Sequence, residues 1–174
     1  MLHKIRASLQ ERDQGYDSKL QHLIELDGAT FGRRRTGNQK TVLVAIETKE
    51  WVDEKGRRKQ RASFAKTAVV DSENKVDAQA FANRYVQKGA KLMTDGSTSF
   101  DALKDVNVKS KTMGLDREAM DRWLPWVHRL ISNAKAWIIG THHGVKADYL
   151  SGISLNISTA STDVMTRIPF FIVR

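Results

Sequence analysis

The chain has 174 residues, with 29 Lys plus Arg against 20 Asp plus Glu and a formal charge of +9. That length suits one sizeable core, and that balance attracts polyanions, nucleic acid above all. Cys is absent, which excludes disulfides, thiolate nucleophiles and Cys-ligated zinc and fits a reducing cytoplasm; with no apolar run of the roughly 18 to 20 residues that cross a bilayer and no signal-peptide stretch, the expectation is a soluble, unexported protein with no membrane partner.

Taken in chain order, Leu2, Ile5 and Leu9 stand at helical spacing among Lys4, Arg6 and Arg12, which predicts a short basic amphipathic helix over 1–12. Leu23 to Phe31 is predicted as a strand, with Asp27 inside it, where an acid is costly. After a basic turn over 33–40, Thr41 to Thr48 carries Val42, Leu43, Val44, Ala45 and Ile46 in one run, the strongest buried-strand signal in the chain. A charged hairpin tip is expected at Asp53 to Arg61 and a third strand at Ala62 to Val70. Ala78, Phe81, Ala82 and Tyr85 fall on one side of a helix over Asp77 to Val86. Ala90 to Thr94 is expected as a fourth strand that delivers Asp95 and Gly96 at its end, followed by a short helix around Phe100 to Leu103 and a fifth strand over Val106 to Lys111. Val127, Leu130, Ile131, Ala134 and Ile138 then mark the core face of a helix over Pro125 to Ile139, with Gly140 as its stop.

Three antiparallel strands, a helix, a short strand and later helices give an α/β protein with a mixed central sheet of about five strands flanked by helices, the order a ribonuclease-H-like fold presents. Phosphoryl transfer with two divalent ions needs carboxylates from separate elements, converging where the ions sit about 3.5 to 4 Å apart. Asp27 in the first strand and Asp95 after the fourth meet that need. The plainer reading makes Asp27 a strand acid paired with a nearby arginine and Asp95 a turn acid before Gly96. Glu25, on the same strand face as Asp27, and Asp71, at the end of the third strand, compete for the role and rank below.

Several stretches read together carry a resemblance: Leu23-Ile24-Glu25-Leu26-Asp27-Gly28-Ala29-Thr30-Phe31-Gly32, Met93-Thr94-Asp95-Gly96, Leu124-Pro125-Trp126-Val127-His128, Ile131-Ser132-Asn133-Ala134-Lys135 and Gly140-Thr141-His142-His143-Gly144-Val145. In order and spacing the chain resembles the insertion-sequence transposases of the ISXO-type group over residues 1 to 150. The resemblance implies a bacterial DDE-type transposase, in which metal-activated water nicks the element end and the freed 3′ hydroxyl attacks target DNA. It implies two Mg²⁺ or Mn²⁺ ions, DNA as partner at element ends and target, self-association as a dimer or higher, and a cytoplasmic, nucleoid-associated protein. By position Asp27 and Asp95 are the first two metal ligands, and Lys135 points back seven residues to His128 as the third, where the family commonly has Glu. Since Mg²⁺ prefers oxygen and Mn²⁺ accepts nitrogen more readily, His128 implies a Mn²⁺ preference.

His128, Ser132 and Lys135 share a helical face by their spacing, opposite much of the apolar stripe; the plainer reading is a polar surface. Lys135 is a candidate contact to a DNA-end phosphate, as are Arg33, Arg34 and Arg35 and the cluster Lys55 to Arg61, each with a solvated-surface alternative. His142 and His143 are not read as metal ligands, and Trp51, Trp123, Trp126 and Trp137 are read as core or helix packing rather than base-stacking platforms.

The resemblance divides the chain into a remnant of a preceding helix over 1–20, a ribonuclease-H-like catalytic core over 21–150 and an aberrant tail over 151–174. The family's Cys-rich ribbon and helix-turn-helix segment are expected to be truncated away. A permitted back-translation of 152–163, read two bases later, restores an Asn-Arg-ending helix, so the tail is expected to be frameshifted. The activity of such a copy is in question. The alternatives are a catalytically dead DNA-binding fragment that inhibits an intact transposase, and a stand-alone ribonuclease-H-like nuclease, against which His128 argues.

Overall fold

A computed structural model describes residues 18–32, 39–112 and 116–142 of the chain. Five strands, β1 (Leu23–Phe31), β2 (Lys40–Val52), β3 (Arg58–Val70), β4 (Lys91–Thr94) and β5 (Asn107–Ser110), form one sheet in the order β3-β2-β1-β4-β5. The first three are antiparallel, and β4 and β5 run parallel to β1. Four helices accompany them: α1 (Lys75–Tyr85), α2 (Thr98–Asp101), α3 (Arg117–Trp123) and α4 (Pro125–His142). This is the α/β, ribonuclease-H-like arrangement that the sequence predicts.

Strand alternation sorts the side chains into two layers. On one face Ala29, Phe31, Val42, Val44 and Ile46 pack against Leu124, Val127, Leu130, Ile131 and Ala134 of the α3–α4 region. On the other, Ile24, Leu26, Leu43, Ala45 and Leu92 pack against Ala78, Phe81 and Ala82 of α1 and against Phe100. With Val127 wholly buried and Leu130 and Ile131 nearly so, burial at roughly 1.5 to 3 kcal/mol per large aliphatic side chain is what docks α4 on the sheet. Asp27, although it lies between apolar neighbours in sequence, therefore faces α4.

Several boundaries differ from the sequence reading. β2 and β3 run on into the charged segment as a two-stranded ribbon, pairing Lys49 with Arg61 and Trp51 with Lys59, so the tip shrinks to 53–57. Asp53 closes that tip by accepting from the backbone N–H of Lys55 and Arg57 and from Arg57 Nε at 2.8 Å. Trp51, read as a packing residue, stands 43% exposed on the ribbon with the Arg61 guanidinium over its ring; a two-stranded extension has no second layer to bury it. Trp123 and Trp126 do pack on the core. Gly140 does not stop α4, which continues through it to His142, since a helical glycine costs only about 1 kcal/mol. Helix α3, which the sequence reading leaves out, spans only seven residues; the side chain of Asp116 caps it by accepting from Ala119 N at 3.0 Å. The helix expected over 1–12, the clusters of Arg33, Arg34 and Arg35, His143 and the tail over 151–174 lie outside the described residues.

Candidate active site

The register of the parallel pair β1–β4 fixes where the two predicted aspartates stand. Ile24 pairs with Leu92 and Glu25 with Met93; two places further along come Asp27, still in β1, and Asp95, the first residue past β4. Both belong to the face that carries Ala29, Phe31 and, on β4, Met93, against α4. Asp95 leaves β4 through Gly96, whose φ is +82° and where a Cβ would collide with the backbone and side chain of Thr112, so only glycine passes there without strain. The turn is closed by Ser97 N, which donates to Asp95 Oδ1 at 3.0 Å.

Helix α4 brings the third predicted residue to the same place. His128 Nε2 lies 3.3 Å from Asp27 Oδ2, and both side chains are 15% exposed. On its other side His128 Nδ1 is 3.0 Å from Asp121 Oδ1 of α3. The hydrogen bond that His128 donates to Asp27 holds the imidazole pKa above its ordinary value against the opposing effect of burial, with the Asp121 contact adding to it. Asp95 is also raised, first by burial, which outweighs the Ser97 N–H, and then by repulsion from Asp27. Burial and a like charge together leave the Asp95 carboxylate short of positive charge, the electrostatic condition a hard divalent cation relieves.

Among the described residues no three His, Asp or Glu groups are already gathered tightly enough to hold a metal ion. The carboxylates of Asp27 and Asp95 fit one as donors. His128 fits less directly, because each ring nitrogen faces a carboxylate and an imidazolium has no lone pair to offer.

Two acids near the site have structural work that spacing does not disclose. Glu25, weighed as a competing ligand, is 3% exposed, and its Oε2 accepts from the backbone N–H of Trp126 at 2.8 Å and of Val127 at 2.9 Å. Leu124, one residue before α4, has no side-chain acceptor, and Pro125 has no N–H, so Glu25 caps the helix from β1. Burial nevertheless lifts its pKa to about 7, the two N–H groups and the charges of His128 and Arg129 acting the other way. Glu73, not singled out in sequence, accepts from Ser97 Oγ at 2.5 Å, and its carboxylate lies where a Cβ on Gly28 would stand. It thus ties the Asp95 turn to the residue after Asp27.

The other candidates lie apart. Asp71 pairs with Lys40 at 2.7 Å on the surface, and that bond lowers its pKa. Lys135 is exposed two helical turns beyond His128, its ammonium 5.6 Å from the Phe31 ring centroid. No helix among the described residues is long and apolar enough to cross a membrane.

Over residues 19–152 the chain matches the ISXO2-like transposase domain. No curated protein matches it. Among solved structures it is similar, at 10% identity and a TM-score of 0.44, to a chain of the cryo-EM structure of a simian T-cell lymphotropic virus intasome in complex with PP2A regulatory subunit B56 gamma. That likeness covers 82% of this chain and 48% of the other, so the chain spans about half the length of its structural relative.

Proposed function

The chain belongs to the ISXO2-like transposase domain family, and on that footing we propose that it carries the catalytic core of DNA transposition, with Asp27, Asp95 and His128 as the site for metal-dependent nicking and strand transfer. The observation that supports this most is the convergence of Asp27 and Asp95 from adjacent parallel strands onto the face where α4 places His128. The core is taken to span 21–150, in line with the family match over 19–152.

Asp27 and Asp95 would hold a divalent cation, Mg²⁺ or Mn²⁺. Such an ion supplies Lewis-acid activation and charge neutralisation at a phosphodiester. The chain's own residues set the stage: Gly28 N donates to Asp27 Oδ1 at 2.7 Å, Ser97 N orients Asp95, and Glu25 fixes the first turn of α4. His128 keeps Asp27 Oδ2 in place, and it joins the ligand set only after losing its proton, a change that Mn²⁺ rewards more than Mg²⁺. Lys135, farther along α4, and Arg33, Arg34 and Arg35 are proposed contacts to phosphates of the DNA partner. Self-association into a dimer or higher belongs to the same reading.

The test is nicking of a labelled duplex bearing the element ends by the purified chain, with Mg²⁺ or Mn²⁺. Activity lost in Asp27→Asn and in Asp95→Asn, with DNA binding retained, is the expected result. Wild-type nicking that persists in either variant would overturn the assignment. A chain that binds DNA, never nicks and suppresses an intact relative would favour the inhibitory fragment instead.

A further inference from the structure

β5 is the edge strand of the sheet, next to the strand that delivers Asp95. Met93 pairs with Lys109 and Thr94 with Ser110, and the backbone N–H of Lys111 donates to Thr94 O at 3.2 Å. Lys111 therefore stands beside Asp95 as Lys109 stands beside Met93. By alternation both lysines share the face that Met93 turns toward the α4 layer, while Val108 packs on the opposite layer.

Trp123 fixes these two side chains. Its ring lies 5.6 Å from the Lys109 ammonium and 5.5 Å from that of Lys111. Its Nε1 donates to Thr94 O at 2.8 Å, so the strand that presents Asp95 also pins the indole. Both lysines are exposed, and neither forms an ion pair with a described residue. Two ammonium groups gathered on one ring repel each other, and cation–π attraction of about 0.5 to 1 kcal/mol at exposed sites is a modest counterweight. An anion between them removes the repulsion.

We propose that Lys109 and Lys111, held by Trp123 as a positioning residue, form a phosphate-binding pair that seats a DNA strand along the β5 edge beside Asp95. This rests on the transposase reading above. Both contacts are point charges on the backbone, so the pair grips DNA without reading its sequence. A strand seated there runs past Asp95 and Asp27 rather than over the distant hairpin.

The experiment is a salt titration of binding to a 30-base-pair duplex of arbitrary sequence, using the full chain in EDTA. Lys109→Ala/Lys111→Ala is expected to flatten the dependence of log K on log salt by about 1.8, at roughly 0.9 per lost phosphate contact, and Lys109→Arg/Lys111→Arg to restore it. Lys75→Ala/Lys88→Ala removes the same charge elsewhere and is expected to leave the slope in place. An unchanged slope in the first variant, or an equal drop in the control, overturns the proposal. Wild-type chain that binds no duplex overturns it together with the transposase reading, whereas wild-type binding and Asp27-dependent nicking with an unchanged slope overturn it alone.

Discussion

His128 Nε2 sits 3.3 Å from Asp27 Oδ2, a contact between α4 and β1 that joins residues 101 positions apart. It links two questions, how α4 is held and how acidic the site is. Each has a distinct experimental signature.

In metal-free protein the Asp27 hydrogen bond is the largest influence raising the His128 pKa. Asp27→Asn is expected to bring that value down, followed by the imidazole resonances of His128 in an NMR pH titration. A His128 titration that does not move in Asp27→Asn would show that the contact does not govern the ring.

Glu25 replaces a local cap for α4. Glu25→Ala leaves the N–H groups of Trp126 and Val127 without acceptors, at a cost of about 1 to 3 kcal/mol. A denaturant midpoint equal to wild type would contradict the capping role.

The same residue sets a pH dependence. Its folded pKa of about 7 stands above the ordinary 4.5, so the folded state binds the extra proton. Its contribution to stability is complete below pH 4.5 and is lost as pH rises through 7, on the order of 3 kcal/mol. Urea unfolding of metal-free protein should show that decline, and Glu25→Gln should remove it. A Glu25-dependent rise over the same window would contradict the assignment.

Gly96 is the turn on which Asp95 leaves its strand. Gly96→Ala places a Cβ against Thr112 at positive φ and is expected to cost more than about 1 kcal/mol and to weaken Mn²⁺ binding with it. Wild-type stability and wild-type Mn²⁺ affinity together would refute the close approach.

His128→Ala is expected to abolish a Mn²⁺ requirement for nicking that Glu118→Ala retains, Glu118 being an exposed residue of α3. The reverse pattern would move the third position to α3.

Much of this was legible in the sequence. Strand β1 matches its predicted bounds, because its apolar run ends in polar and glycine positions. Asp27 and Asp95 stood out as acids in or after strands. What stayed hidden depends on partners far along the chain. Glu25 reads as a third acid candidate because the groups it serves are backbone N–H donors 101 and 102 residues away, which no side-chain pattern reveals. Glu73 acts through Ser97 and the space above Gly28; the one available signal was a glycine directly after a strand aspartate. The ribbon beyond Thr48 is not legible in the sequence, because cross-strand pairing of Lys49 with Arg61 extends a ladder without any apolar alternation to mark it.

Whether Asp27 and Asp95 form one metal site is tested by isothermal titration of Mn²⁺ into wild type, Asp27→Asn, Asp95→Asn and the double variant. Wild type is expected to bind, either single variant to lose at least about tenfold in affinity and the double to lose little more, since the two carboxylates would serve one site. Wild-type affinity in both single variants would contradict it.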